Sequence, residues 1–193
     1  MPTDIQMNKL TEEFISAVGA RDLHEKRGHN YRRLLTFFDL VVFAIAIGFL
    51  PVRLVVTDVA MRHIVDVVWE IVAGLLLFLS MVKFFFQWQE GAEQHRVLMA
   101  KNVHLASEAE LLMHRRDIDE RDFEAFVKRA NELQEQDRAL IKTIADAERQ
   151  AAYRQGLKEF NSGKGIACPK CKADPWKFAP GACQACGSGP VTI

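Results

Sequence analysis

Apolar residues are concentrated in two runs near the middle of the chain. The first extends from Leu34 to Val56 and the second from Ile64 to Trp88. About 20 helical residues, at about 1.5 Å each, cover the roughly 30 Å of a hydrocarbon core. Both runs are apolar on every helical face, whereas a surface helix of a soluble protein carries one apolar stripe. The pattern therefore predicts two transmembrane helices, which together with their connection span residues 34–88.

Charged residues interrupt both runs and indicate how the helices would pair. The connection 57–63 is so short that the helices must be antiparallel, which places residues whose numbers add to about 120 at one depth. Asp39 then lies beside Lys83, and Arg53 beside Asp66 and Glu70. Ionisable groups inside a bilayer are costly and usually pair or face water. These five residues are predicted either to lock the hairpin through ion pairs or to face a water path in an oligomer.

A soluble helical bundle with an apolar central hairpin is the alternative to a membrane hairpin. The charge-free cores, Leu40–Val52 and Ile71–Val82, are short enough to occur in buried soluble helices. Aromatic residues favour the bilayer, because they gather at one predicted edge, as in the belts at membrane interfaces. The aromatic residues at this edge are Phe37, Phe38, Phe84, Phe85, Phe86 and Trp88.

Basic residues indicate the orientation of the hairpin. Most of them lie on the side of the chain termini, whereas only Arg53 and Arg62 lie on the side of the connection. The positive-inside rule then places both termini of this multi-pass protein in the cytoplasm. Residues 1–33 are predicted to form a charged cytosolic helix without a secretory signal. The basic residues counted on the cytosolic side are Arg21, Lys26, Arg27, Arg32, Arg33, Lys83, Arg96 and Lys101.

Residues 89–160 are predicted to form cytosolic helices with a break near 115–119. In the second part, from Asp119 to Phe160, apolar residues recur in steps of three and four, which is typical of a heptad seam. The seam pairs helices either between chains, as an oligomer, or within the chain by folding back on 90–114. Its principal residues are Phe123, Phe126, Ala130, Leu133, Asp137, Leu140 and Ile144.

The C-terminal part contains all four cysteines, in two CxxC pairs separated by eleven residues: Cys168, Cys171, Cys183 and Cys186. Four thiolates in this spacing can close a tetrahedral zinc site. A segment of this size cannot build a core alone, and disulfides are rare in the cytosol. We therefore expect a structural Zn²⁺ in a zinc ribbon at 167–193, after a flexible linker at 161–166. Trp176 and Phe178 are expected to form the small core of the ribbon.

Composition and motifs argue against an enzyme. The sequence has no glycine-rich phosphate loop, no HExxH motif and no nucleophile elbow. Its six histidines lack ligand spacing, and we expect most of them at the surface. The 25 basic and 25 acidic residues give zero net charge, so the overall charge does not indicate a nucleic-acid partner. The lysines of the ribbon still allow binding of a nucleic acid by that segment.

The order of these elements resembles the SLATT group, the two-transmembrane effector domains of bacterial conflict systems. The resemblance covers about Leu10 to Phe160 and rests on layout and on two stretches. One precedes the first apolar run and reads HEKRGHNYRRLL, and the other follows the second run and reads DFEAFVKRANELQEQDRALIKTI. The zinc ribbon departs from the usual pattern of the group.

The resemblance implies an all-α effector of the bacterial inner membrane that forms pores or disrupts the membrane in antiviral defence. It also implies a homo-oligomer in contact with membrane lipid, and a partner protein that generates or senses nucleotides. The cytosolic helices and the ribbon would then control assembly. The alternative hypothesis is a membrane-tethered scaffold, in which the hairpin is an anchor and the helices and ribbon recruit a protein or a nucleic acid.

Overall fold

The computed structural model describes residues 3–55, 59–141 and 144–189, with the side chains of 49, 50, 52–54, 59 and 60 left out. Within these ranges the chain is helical and has no strand, which confirms the all-α prediction. An isolated antiparallel bridge joins Pro180 to Ser188. The helices are α1 (Asp4–Val55), α2 (Val59–Phe85), α3 (Trp88–Met113), α4 (Glu120–Ile141) and α5 (Asp146–Glu159).

The chain divides into two compact units. One combines Met1–Lys26 with His95–Ile193, and we call it the helical core unit. The other is Arg27–Gln94, and we call it the apolar unit. The helical core unit therefore contains the first part of α1, nearly all of α3, α4, α5 and the cysteine segment, which the sequence analysis treated as separate regions.

Every helix of the helical core unit contributes to one apolar cluster. In α1 the stripe Leu10, Phe14 and Val18 is buried at the helical spacing that a one-sided core requires. Leu98 and Leu105 of α3 belong to the same cluster. Burial of such side chains contributes about 1.5–3 kcal/mol each, so this cluster is the main source of stability in the unit.

The predicted heptad seam is interrupted, and its apolar positions on α4 pack in this cluster. The seam was expected on one helix from Asp119 to Phe160, but α4 ends at Ile141 and α5 begins at Asp146, so Ile144 lies between two helices. The seam residues of α4 are buried against helices of the same chain. This arrangement corresponds to the alternative in which the seam folds back within the chain. The buried seam residues of α4 are Phe126, Ala130, Leu133 and Asp137, with Phe123 and Leu140 half-buried.

Two glycines allow α1 and α5 to approach closely. A Cβ atom at Gly156 of α5 would lie 2.3 Å from the carbonyl oxygen of Ile15, and one at Gly19 of α1 would lie 3.0 Å from that of Ala152. Glycine is therefore required at 156, because a methyl group would collide with backbone atoms that cannot move independently. This close crossing brings α5, which carries the cysteine segment, against the first helix.

The apolar unit exposes most of its large apolar side chains. Contiguous exposed apolar surface of this kind marks a contact with lipid or with another protein. Phe84 is 80% exposed and Ile71 is 67% exposed, although both are among the least water-soluble side chains. Others that are at least half exposed include Phe37, Leu40, Phe43, Ile47, Ile64, Leu75, Leu77, Phe78, Met81, Phe85 and Phe86.

One helical stretch of the described residues, Met61–Met113, is long and apolar enough to cross a membrane, and none of its apolar window is buried inside the protein. This stretch supports membrane association. The first predicted run ends at residue 56, which lies outside the described residues. The side chain of Arg53 is also outside the described part, so its predicted pairing stays a prediction. The two-helix membrane hairpin therefore stays a prediction.

The pairing of polar residues in the apolar unit agrees in part with the antiparallel register. Lys83 Nζ lies 2.6 Å from Asp39 Oδ1, as the register predicted. At the same end, the rings of Phe38 and Trp88 have centroids 5.0 Å apart. Toward the other end, Glu70 is exposed and Asp66 is half-buried.

Candidate metal centre and a buried histidine cluster

The four cysteines come together after α5. Cys168 and Cys186 are buried, and Cys171 and Cys183 are half-buried. All four Sγ atoms lie within 4.8 Å of one another, and those of Cys171 and Cys186 are 3.4 Å apart. Tetrahedral Zn–S bonds of about 2.3 Å place sulfurs about 3.8 Å apart, which lies between these two distances. The cluster is therefore a metal site by its donor set and spacing.

Each CxxC pair forms the same type of backbone turn. Lys172 donates its N–H to the carbonyl of Cys168 at 2.8 Å, and Gly187 donates to the carbonyl of Cys183 at 2.7 Å. The residue after each pair is left-handed, with φ of +60° at Lys172 and +71° at Gly187. Glycine adopts this conformation without strain, whereas lysine does not. The turn repeats at both pairs even though the sequence provides glycine at only one.

The backbone of the turns and burial shift the pKa values of the thiols in opposite directions. The backbone N–H groups of Cys186 and Ala185 lower the pKa of Cys183 to about 6, because they donate to its thiolate. Burial raises the pKa of Cys168, and it raises the pKa of Cys171 to about 12. Thiols of this second kind ionise readily only beside a cation, which is the chemistry expected of ligands to a bound metal.

The cysteine segment is fixed to the helices by a hydrogen-bonded turn at 161–166, the segment predicted as a flexible linker. Gly165 donates to the carbonyl of Phe160 at 3.0 Å, and Ile166 donates to that of Leu157 at 2.9 Å. Cys168 and Cys186 belong to the apolar cluster of the helical core unit. Metal binding and packing of the helices are therefore parts of one structure.

Trp176 and Phe178 do not form a core of the ribbon, and that expectation was wrong. They are 59% and 48% exposed. Arg154 of α5 lies with its guanidinium carbon 3.8 Å from the ring centroid of Phe178, and Lys158 lies 5.3 Å from that of Trp176. The metal and the helices stabilise the segment in place of an aromatic core, and each ring keeps exposed surface beside the cation that lies over it.

The spacing of the cysteines is the defining feature of a known family. The family model described as Mobilome CxxCx(11)CxxC protein matches residues 7–189. The chain belongs to this family. The match includes the helices as well as the cysteine motif, and it does not show membership of the SLATT group. No significant match was found among curated proteins or among solved structures.

A second polar cluster lies inside the helical core unit. His24 of α1 contacts His95 of α3 through their Nδ1 atoms at 2.8 Å, and its Nε2 lies 2.9 Å from Asp137 of α4. Asn102 of α3 donates to both oxygens of Asp137, at 3.2 and 3.1 Å. All four residues are at most 6% exposed. Three helices are therefore joined by one buried polar cluster, which we call the His24 cluster.

The sequence analysis missed this cluster. The histidines were expected mainly at the surface, which is the case for His29, His63, His104 and His114. His24 and His95 are buried, at 1% and 5% exposed. They are far apart in sequence and obey no ligand spacing, so only the fold brings them together. The polar position in the heptad seam, Asp137, was the available indication.

Proposed function

We propose that this protein is a membrane-bound effector whose apolar unit enters the bilayer as a two-helix hairpin and assembles into oligomers. The exposed apolar side chains of Arg27–Gln94 carry this proposal. The folded chain does not bury side chains such as Phe84 and Ile71. In the membrane, lipid or a second copy of the chain would cover them. Both termini would lie in the cytoplasm, as the basic residues beside Leu34 indicate.

We further propose that the assembled hairpins form a pore or disrupt the membrane in bacterial defence. The layout shared with the SLATT group supports this, and the family description places such proteins in the mobilome. Glu70 is exposed on the apolar unit, where an isolated carboxylate is costly in lipid but favourable beside water. Between subunits it would line a water path. No catalytic step is assigned to the protein.

The metal would be a structural Zn²⁺. Four cysteine ligands leave no open coordination position for a substrate. Because Cys168 and Cys186 belong to the apolar cluster, the ion would hold α5 and α1 together. The helices and the ribbon would then control assembly of the hairpins in response to a nucleotide-generating or nucleotide-sensing partner protein.

Induced expression in bacteria with a voltage-sensitive dye tests the effector function. The full chain should appear in the membrane fraction and depolarise the cells, and Glu70→Ala should depolarise them less at equal membrane content. Glu124→Ala, which removes an exposed carboxylate from α4, is the matched control and should behave as the wild type. Full depolarisation by Glu70→Ala would contradict a conducting role for this residue, and absence from the membrane fraction would contradict the hairpin.

A membrane-tethered scaffold is the second candidate, and the exposed face of the ribbon favours it. Trp176 and Phe178 are exposed, and Lys170 and Lys177 of the same segment are exposed as well. Deleting the ribbon would disturb the apolar cluster, so Lys170→Glu with Lys177→Glu is the cleaner test. A scaffold should lose its protein or nucleic-acid partner through these substitutions, whereas an effector should depolarise cells unchanged.

A further inference from the structure

The apolar unit contains a large open cavity at the end where its charges and aromatic residues gather. Its volume is about 950 Å³, and it lies between α1, the end of α2 and the start of α3. Its lining includes cations, apolar side chains, carboxylates and neutral polar side chains. The cations are Arg32 and Lys83, the large apolar side chains are Leu35 and Phe84, the carboxylates are Glu90 and Glu93, and the neutral polar side chains are Ser80, Gln87 and Gln89.

The two cations come from different helices and meet at one cavity. Arg32 belongs to α1 and is exposed, and Lys83 belongs to α2. Lys83 already pairs with Asp39 at 2.6 Å, but an ammonium group has three N–H donors and can bind a second acceptor. A guanidinium and an ammonium together form a suitable site for one phosphate group.

The carboxylates give the cavity a second charged part. Glu90 and Glu93 lie in the first two turns of α3. Gln94 donates to Glu90 at 3.1 Å, which holds this carboxylate in place. A ligand that carries a negative group, a positive group and apolar parts therefore matches the charged and apolar groups of this lining.

We propose that this cavity binds the headgroup of a membrane phospholipid of the phosphatidylethanolamine type. The inference rests on the proposed insertion of the apolar unit. The phosphate would contact Arg32 and Lys83, and the primary ammonium would contact the carboxylates of Glu90 and Glu93. The glycerol and the first acyl carbons would pack on Leu35 and Phe84.

The surroundings of the cavity favour a lipid over a free phosphate ion. Trp88 stacks on Phe86 with centroids 5.7 Å apart, and Trp88 also contacts Phe38, which is the aromatic environment typical of a membrane interface. The neighbouring side chains of Phe84 and Phe85 are at least three-quarters exposed. A free phosphate would contact only the cations, and it would match neither the carboxylates nor the apolar side chains of the lining.

The carboxylates also distinguish between lipid headgroups. A primary ammonium donates three hydrogen bonds, whereas the quaternary ammonium of phosphatidylcholine donates none. Phosphatidylglycerol has no cation, so its neutral hydroxyl groups would form hydrogen bonds to the two carboxylates without a charge pair. The expected order of binding is phosphatidylethanolamine first and the other two clearly below it.

Native mass spectrometry of the full chain, delipidated in detergent and then titrated with each lipid, tests this order. The wild type should retain phosphatidylethanolamine preferentially, and Arg32→Ala should lower retention about tenfold, the loss expected for one charge-assisted contact. Arg33→Ala removes the neighbouring charge outside the cavity lining and is the matched control. Equal losses in both variants would overturn the site.

A second pair of variants tests the ammonium contact. Glu90→Gln should reduce the preference for phosphatidylethanolamine over phosphatidylcholine, whereas Glu124→Gln, at an exposed position of α4, should preserve it. Equal retention of the three lipids by the wild type, or displacement of bound lipid by inorganic phosphate, would overturn the inference. Absence of the chain from cell membranes would instead contradict the proposed function, so the two failures are distinguishable.

Discussion

The Nδ1 atoms of His24 and His95 face each other at 2.8 Å, so one ring donates a hydrogen bond to the other. Asp137 accepts the hydrogen bond from Nε2 of His24 at 2.9 Å. The three residues thus form one hydrogen-bonded chain from α3 through α1 to α4, with a carboxylate at its end.

Replacing Asp137 with leucine should strongly destabilise the helical core unit. The substitution removes the acceptor of the buried His24 and leaves Asn102 with the carbonyl of Leu98 as its acceptor, at a cost of about 2–4 kcal/mol. Asp137→Asn keeps one acceptor oxygen and should cost clearly less. Urea unfolding of the full chain in detergent, followed by circular dichroism, measures both. Equal stability of Asp137→Leu and the wild type would show that the cluster contributes no net stabilisation.

Gly156→Ala should separate α1 from α5. Its Cβ would lie 2.3 Å from the carbonyl oxygen of Ile15, so backbone must shift, at a cost of about 1–3 kcal/mol. Gly19→Ala is the matched control, because its closest contact is 3.0 Å and the helix gains about 1 kcal/mol from alanine. Melting temperatures of the two variants should therefore differ, with Gly156→Ala lower. A Gly156→Ala variant as stable as Gly19→Ala would contradict the close crossing.

Removing the metal should loosen the helices as well as the ribbon. Cys168 lies in the apolar cluster, so Cys168→Ser should abolish metal binding and lower the melting temperature of the core. Metal analysis should give one zinc per wild-type chain, and Co²⁺ substitution should give the absorption of a tetrahedral thiolate site. Chelation that leaves the melting temperature unchanged would show that the helices are stable without the metal.

Lys172→Gly should strengthen metal binding. The left-handed φ of +60° costs lysine about 1 kcal/mol and glycine very little, so the folded turn becomes more favourable. The dissociation constant for zinc, measured by chelator competition, should fall roughly fivefold, as about 1 kcal/mol gives. Lys170→Gly, at a position without positive φ, should weaken binding slightly. The reverse order of the two variants would count against strain at Lys172.

Acidification should weaken the contact between α1 and α5. Burial raises the pKa of Glu159, but hydrogen bonds from Arg21 and Gln155 outweigh it and lower the pKa overall. A lowered carboxyl pKa stabilises the fold above the unfolded value and loses that stabilisation as pH falls through the folded value. Glu159 is one-third exposed, so the contribution stays below about 1 kcal/mol.

The variant Glu159→Gln measures this contribution. Its melting temperature should fall less than that of the wild type between about pH 5 and pH 3, because it has no carboxylate to protonate. Glu124→Gln, at an exposed position of α4, should keep the wild-type pH dependence. Parallel curves for Glu159→Gln and the wild type would contradict a stabilising pair with Arg21.

Sequence patterns predicted the features that follow from a turn, from a helical period or from the register of two helices with a short connection. The CxxC spacing predicted the cysteine cluster, because a tight turn fixes both sulfurs of each pair. Helical periodicity predicted the buried stripe at Leu10, Phe14 and Val18. The register of two apolar runs predicted the pair of Asp39 and Lys83, since a short connection leaves few alternatives.

Long-range packing was not readable from the same patterns. The seam was expected to continue through 142–145, because the apolar spacing persists across the point where the helix ends. Trp176 and Phe178 were assigned to a core from composition alone, although the cations of Arg154 and Lys158 provide their partners. The His24 cluster depends on three helices meeting, which no local spacing indicates.

The discontinuous helical core unit has a consequence for synthesis of the protein. Its first segment, Met1–Lys26, packs with residues that follow His95, and the ribbon comes later still. A ribosome adds about 5–20 residues per second, so the first segment waits for several seconds without most of its partners. The apolar unit leaves the ribosome during this interval. Targeting to a membrane would therefore begin before the core can close, and the nascent chain would need a chaperone or an insertase earlier than it needs zinc.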